Sequence, residues 1–78
     1  MSIYWRPIHF AADAGNLEIV KILIFQGVKL TELTTANTTA RYWASVNRHR
    51  KVENYMVEHG ALDADQEYEM IMEKLNSM

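Results

Sequence analysis

Three histidines are the side chains of this 78-residue sequence whose chemistry operates near neutral pH, so they are the first places to look for a reaction. His9 lies between Ile8 and Phe10, His49 lies inside the basic run Arg48-His49-Arg50-Lys51, and His59 follows ten residues later. A zinc site needs three or four ligands at consistent spacing, and neither His49 nor His59 has an acidic or histidine neighbour that supplies it. Ser45 and His49 are four apart and would share a helix face, the first two members of a nucleophile and base arrangement, but no third group is evident to orient the imidazole. There is no cysteine, which removes thiolate chemistry and disulfides, and the three glycines are too scattered to cradle a phosphate. These residues are therefore expected to form no catalytic, cofactor-binding or metal site. The basic run, with Arg41 nearby, has the charge type of a phosphate contact. It is one short cluster in a chain of net charge −2, so nucleic acid is not the expected partner and solvation, or a contact with acidic residues, is.

The surrounding chain is long enough for one small domain, and 49% of its residues are hydrophobic, as expected of a soluble globular chain. Its longest apolar segment, Ile19 to Phe25, is interrupted by Lys21 and falls well short of the roughly 20 residues that a membrane span requires, so no membrane partner is expected. Residues 1–6 lack a basic region followed by an apolar core, unlike a secretory signal. With no cysteine, the composition suits a cytoplasmic or otherwise intracellular protein. Charge is uneven along the chain: Asp63, Asp65, Glu67, Glu69 and Glu73 face only Lys74, so the C-terminal segment is acidic.

Local signals place these residues on short helices. Pro7 suits the first turn of a helix, where its missing N–H costs nothing, and Gly15-Asn16 tolerate the left-handed conformation that closes one. Leu17, Val20 and Ile24, with Ile19 and Leu23 alongside, have the spacing of a broad apolar helical face, and Gly27 ends it. Helices are thus expected near 7–14 and 17–26. Ala11 and Ala12 allow close packing between them.

Displacing the sequence by 33 residues superposes Gly27 on Gly60, Ala11 on Ala44, Phe10 on Trp43, Ala12 on Ser45, Ile19 on Val52, Leu23 on Met56, Ile24 on Val57 and Val28 on Ala61. These matches mark the expected buried set. A period of 33 with this pattern resembles the ankyrin repeat. Pro7-Ile8-His9-Phe10-Ala11-Ala12 resembles that family's T-P-L-H-x-A box, with Arg6 for the threonine, and Gly15 to Val20 with Leu23-Ile24 and Gly27-Val28 resembles its second helix and exit. The second copy, Thr39-Ala40-Arg41-Tyr42-Trp43-Ala44, keeps the threonine and alanine but has no proline and has Tyr42 in the histidine position. Arg48 and His49 stand for Gly15 and Asn16, and a left-handed Arg48 costs about 1 kcal/mol more than glycine, so a different turn is expected there. Asn37 stands where the family prefers glycine.

The resemblance implies an all-α fold: a short ankyrin-type solenoid of two helix-turn-helix repeats (3–33 and 34–62), joined by a β-hairpin-like finger over 28–38, with a C-terminal helix within 63–78 that caps the open end. The further helices are expected near 40–47, 50–59 and 65–76, the last capped by Asp63 or Asp65 and packing through Tyr68, Ile71, Met72 and Leu75. His9 is then expected to hydrogen-bond backbone between neighbouring repeats. In function, the resemblance implies a non-catalytic module that binds a partner protein on its concave side. Carried over residue by residue, that side is Ile3, Trp5, Asp13 and Ala14 in the first copy and Leu33, Thr35, Ala36, Thr38, Val46 and Asn47 in the second, with Trp5 and Leu33 as exposed anchors free of core duty. The alternative is a small regulatory or inhibitory protein of viral, phage or bacterial-effector type that blocks a basic target site with its acidic C-terminal surface. Two repeats are fewer than a solenoid normally needs, so a homo-oligomer, a bound partner or membership of a longer array would each supply missing stability.

Overall fold

A computed structural model describes residues 5–76 as five helices: α1 (Pro7–Ala14), α2 (Leu17–Phe25), α3 (Ala40–Val46), α4 (Arg50–Glu58) and α5 (Ala64–Asn76). α1 and α2 form one antiparallel pair and α3 and α4 the next, with α1 beside α3 and α2 beside α4. The core between the two pairs is built from Ile8, Ala11, Ala12, Val20, Leu30, Ala40, Ala44, Val52, Met56 and Ala61. Its alanines are what let the short helices approach closely.

The two repeats are closed by the same backbone geometry. At the end of α1, Gly15 is left-handed (φ 72°), its N–H donating to Ala12 and that of Asn16 to Ala11. At the end of α3, Arg48 takes the same conformation (φ 62°), donating to Ser45, while His49 donates to Ala44. The turn at Arg48 is therefore not built differently: two i−3 and i−5 bonds to otherwise orphaned carbonyls outweigh the strain on a non-glycine residue. Asn37 is likewise left-handed (φ 60°).

The finger contains no β-strand among the described residues. Its tip is instead a turn held by the Thr34 N–H donating to Thr38 O at 2.9 Å, with the two threonine hydroxyls 2.6 Å apart. Six residues of the expected buried set, Phe10, Ile19, Gly27, Ser45, Val57 and Gly60, are exposed. A repeat buries a side chain only where a neighbouring element covers it, and these positions have no such cover.

α5 begins at a capping box, Asp63 accepting from the Gln66 N–H at 2.8 Å and Gln66 from the Asp63 N–H at 3.0 Å. Its attachment differs from the expectation. Tyr68, Met72 and Leu75 are exposed, and the buried residue of this helix is Glu67. Glu67 accepts from Arg41 Nε (2.8 Å), Arg41 Nη2 (3.0 Å) and the Thr39 hydroxyl (2.7 Å), while Arg41 Nη1 reaches Glu53 at 2.5 Å. A fork of guanidinium donors matched to one carboxylate, not a greasy stripe, holds the cap.

Candidate functional site

The three histidines take up positions inside this framework. His9 is fully buried; its Nδ1 accepts from the Arg6 N–H at 2.9 Å, which leaves Nε2 protonated to donate to the Glu32 carbonyl at 3.1 Å. It ties the first turn of α1 to the finger, and the adjacent Arg6 and Glu32 form an ion pair. His49 Nε2 donates to the Asp13 carbonyl at 2.9 Å, with the ring lying directly over Gly15, so this histidine joins repeat two to the end of α1. His59 stacks on Tyr55 (4.0 Å) and bonds the Tyr55 carbonyl through Nδ1. Among the described residues no three His, Asp or Glu side chains stand close enough to share a metal ion. Nor, among the described residues, does an ion pair link 48–51 to the acidic segment; Arg41 makes that connection.

Burial lowers the His9 pKa below the usual 6.5, only partly opposed by the Glu32 carbonyl and carboxylate. The folded protein thus resists protonation that the unfolded chain accepts. Stability from this site is complete above about pH 6.5 and falls on acidification toward the lowered value. We expect His9→Ala to cost roughly 1–3 kcal/mol at neutral pH, by stranding Arg6 N–H and Glu32 O, and His9→Gln to flatten the acid-side fall in melting temperature. A wild-type-like melting curve for His9→Ala would show that these bonds carry no stability.

The outer face of α1 and α3 carries a different arrangement. Phe10, Trp5, Trp43 and Tyr42 follow one another with centroid separations of 5.0, 4.7 and 5.3 Å, crossing from one repeat to the next. Trp43 is fixed by its indole N–H donating to Thr38 Oγ1 at 2.9 Å. Phe10 is 61% exposed and Tyr42 40%, and Val46 continues the apolar surface along α3. At its far end Asn47 Nδ2 donates to Asp13 Oδ1 at 2.5 Å, again spanning the repeats.

Of the residues expected on this side, none that is described is fully buried. Ala14, Thr35, Ala36, Val46 and Asn47 are exposed, whereas Trp5, Asp13, Leu33 and Thr38 are half-buried. Ile3 lies outside the described residues. Trp5 and Leu33 are thus not fully exposed anchors, and Trp5 has structural work, stacked between Phe10 and Trp43. The sequence reading missed Phe10, Tyr42 and Trp43 as members of the face. Their signal was placement: Phe10 and Trp43 occupy the variable position of the T-P-L-H-x-A box, which points outward from the helix pair.

The geometry of paired helices, identical left-handed closures and a 33-residue offset is matched by the family model for ankyrin repeats (3 copies), over residues 3–68. The chain is an ankyrin repeat protein. Over 59 residues, 73% of this chain, it is also 34% identical to a protein of Saccharomyces cerevisiae named as the probable 26S proteasome regulatory subunit p28. The chain spans about a quarter (26%) of that relative's length. No solved structure matches significantly. Ankyrin repeats are in general protein–protein interaction modules, and no helix among the described residues of this one is long and apolar enough to cross a membrane.

Proposed function

We propose that this ankyrin protein is a non-catalytic interaction module that binds a partner protein on the face formed by α1, α3 and the finger. The observation that carries this reading is the aromatic row from Phe10 to Tyr42, continued by Val46. Phe10 and Tyr42 are exposed at the two ends of the half-buried Trp5 and Trp43. Large rings left in water are costly on a surface with no occupant and are the type of side chain that dominates interface energy. Ala14, Thr35, Ala36 and Asn47 border the row as small or polar residues, the composition of a rim around an apolar centre. Resemblance to a probable proteasome regulatory subunit is in keeping with an adaptor role.

The acidic alternative keeps Asp63, Asp65, Glu69 and Glu73, all exposed, but loses Glu67 to the ion pair with Arg41. Salt separates the two readings: an acidic mimic releases its target steeply between low and moderate salt, and an aromatic face does not. With a partner in hand, calorimetry of the Phe10→Ala/Tyr42→Ala variant should show binding weakened at least about tenfold at unchanged melting temperature. Trp5→Ala should weaken binding and lower the melting temperature together, because its ring also joins the repeats. Full affinity in the Phe10/Tyr42 variant would remove this face.

A further inference from the structure

The second helix of repeat one is apolar nearly all round, yet one side of it is uncovered. Ile19, Ile22 and Phe25 are exposed, Ile22 by 52% and Phe25 by 93%. At three-residue intervals they form one continuous arc of α2, with Glu18 and Gln26 at its edges. We propose that this arc is a self-association surface, which a second copy of the chain covers through the same arc.

Two observations point to that occupant. The first is the internal interface. By the 33-residue offset Ile19 corresponds to Val52 and Ile22 to Tyr55, and in repeat two Val52 is 2% exposed while Tyr55 packs against the core beside α2. Residues of the type that repeat two buries in its junction with repeat one are therefore displayed by repeat one on its open side. The outer face of a repeat left uncovered is ordinarily polar, and this one is not.

The second observation is self-complementarity. Phe25 projects at the lip of an open, mainly apolar groove lined by Ile22, Ile24, Gln26, Tyr55 and His59, with Lys21 at its rim. One chain thus offers both a protruding ring and an apolar recess beside it, which is what a two-fold interface requires, since each copy must supply both halves of every contact. Burial of this arc would enlarge the shared core of a body whose two repeats are few for a solenoid.

Sedimentation velocity on the full chain, from low micromolar to near-millimolar concentration, should show a reversible monomer–dimer equilibrium. Phe25→Glu and Ile22→Glu should each weaken it at least about a hundredfold, because each change enters a two-fold interface twice. Both side chains point to solvent in the single chain, so the variants should keep the parent's circular dichroism. Phe10→Ala/Tyr42→Ala, on the other face, should dimerise as the parent does. A parent that stays monomeric throughout, or dimers that persist in Phe25→Glu and Ile22→Glu, would overturn the proposal.

Discussion

Arg41→Ala is expected to lower folding stability by about 3–5 kcal/mol, because it leaves two carboxylates facing a buried site with no counter-charge. Arg41 is enclosed between Glu67 and Glu53, and Glu67 is itself buried. Hydrogen bonding to Glu67 raises the Arg41 pKa further, so the guanidinium stays charged throughout the accessible range. The chain can limit the loss only by letting α5 go, so that Glu67 reaches water. Denaturant unfolding should show a loss capped by the cost of detaching α5, and amide exchange should show residues 64–76 losing protection before the helices of repeat one. Replacing the group together tests the cause. Ile8 and Val20 occupy in repeat one the places of Arg41 and Glu53. Arg41→Ile/Glu53→Val/Glu67→Leu should recover most of the loss, since well-packed apolar groups commonly equal or exceed a buried ion pair. An Arg41→Ala variant as stable as the parent would mean that α5 is held by something else.

Gly15→Ala should be the next most damaging change, at roughly 2–4 kcal/mol, the sum of left-handed backbone strain, a displaced ring and a lost hydrogen bond. Gly15 has φ 72°, and a Cβ there would sit 2.5 Å from His49 Nδ1. The ring cannot retreat without breaking its bond to the Asp13 carbonyl, which links the repeats. Gly27 and Gly60 serve as internal controls: both have positive φ, but a Cβ added at either would meet nothing within 4 Å. Alanine at those sites should cost only the backbone strain of about 1–2 kcal/mol. Equal losses at all three glycines, measured by urea unfolding, would remove the role assigned to the His49 ring.

Much of the fold was legible because local and periodic signals agree in repeat one. Pro7, Gly15 and Gly27 each favour a particular backbone, and the structure places them where that backbone occurs. Repeat two was harder because its exceptions are polar. Arg41 falls on the place of Ile8 and Glu53 on that of Val20, two opposite charges at core positions, and Glu67 completes them from 26 residues beyond Arg41. The displaced alignment contains that signal in its polar mismatches, and of the apolar face expected on α5 only Ile71 is half-buried, while Tyr68, Met72 and Leu75 are exposed. The finger's hairpin came from family resemblance and has no strand partner in these residues to form it. At the outer face, a period of 33 identifies equivalent positions but not which are covered, since cover depends on the neighbour. Phe10 accordingly aligns with the expected buried set although its ring lies on the surface.

The central claim is that partners are taken up on the aromatic face and not on the acidic helix. Its most direct test is quantitative affinity capture from the source cell with three baits: the parent, Phe10→Ser/Tyr42→Ser, and Asp65→Ser/Glu69→Ser/Glu73→Ser. All three should first be shown to have the same helical content. The proposed function predicts proteins that the parent and the acidic-helix variant retain at moderate salt and that the aromatic variant loses. Retention by the aromatic variant with loss from the acidic-helix variant would contradict it.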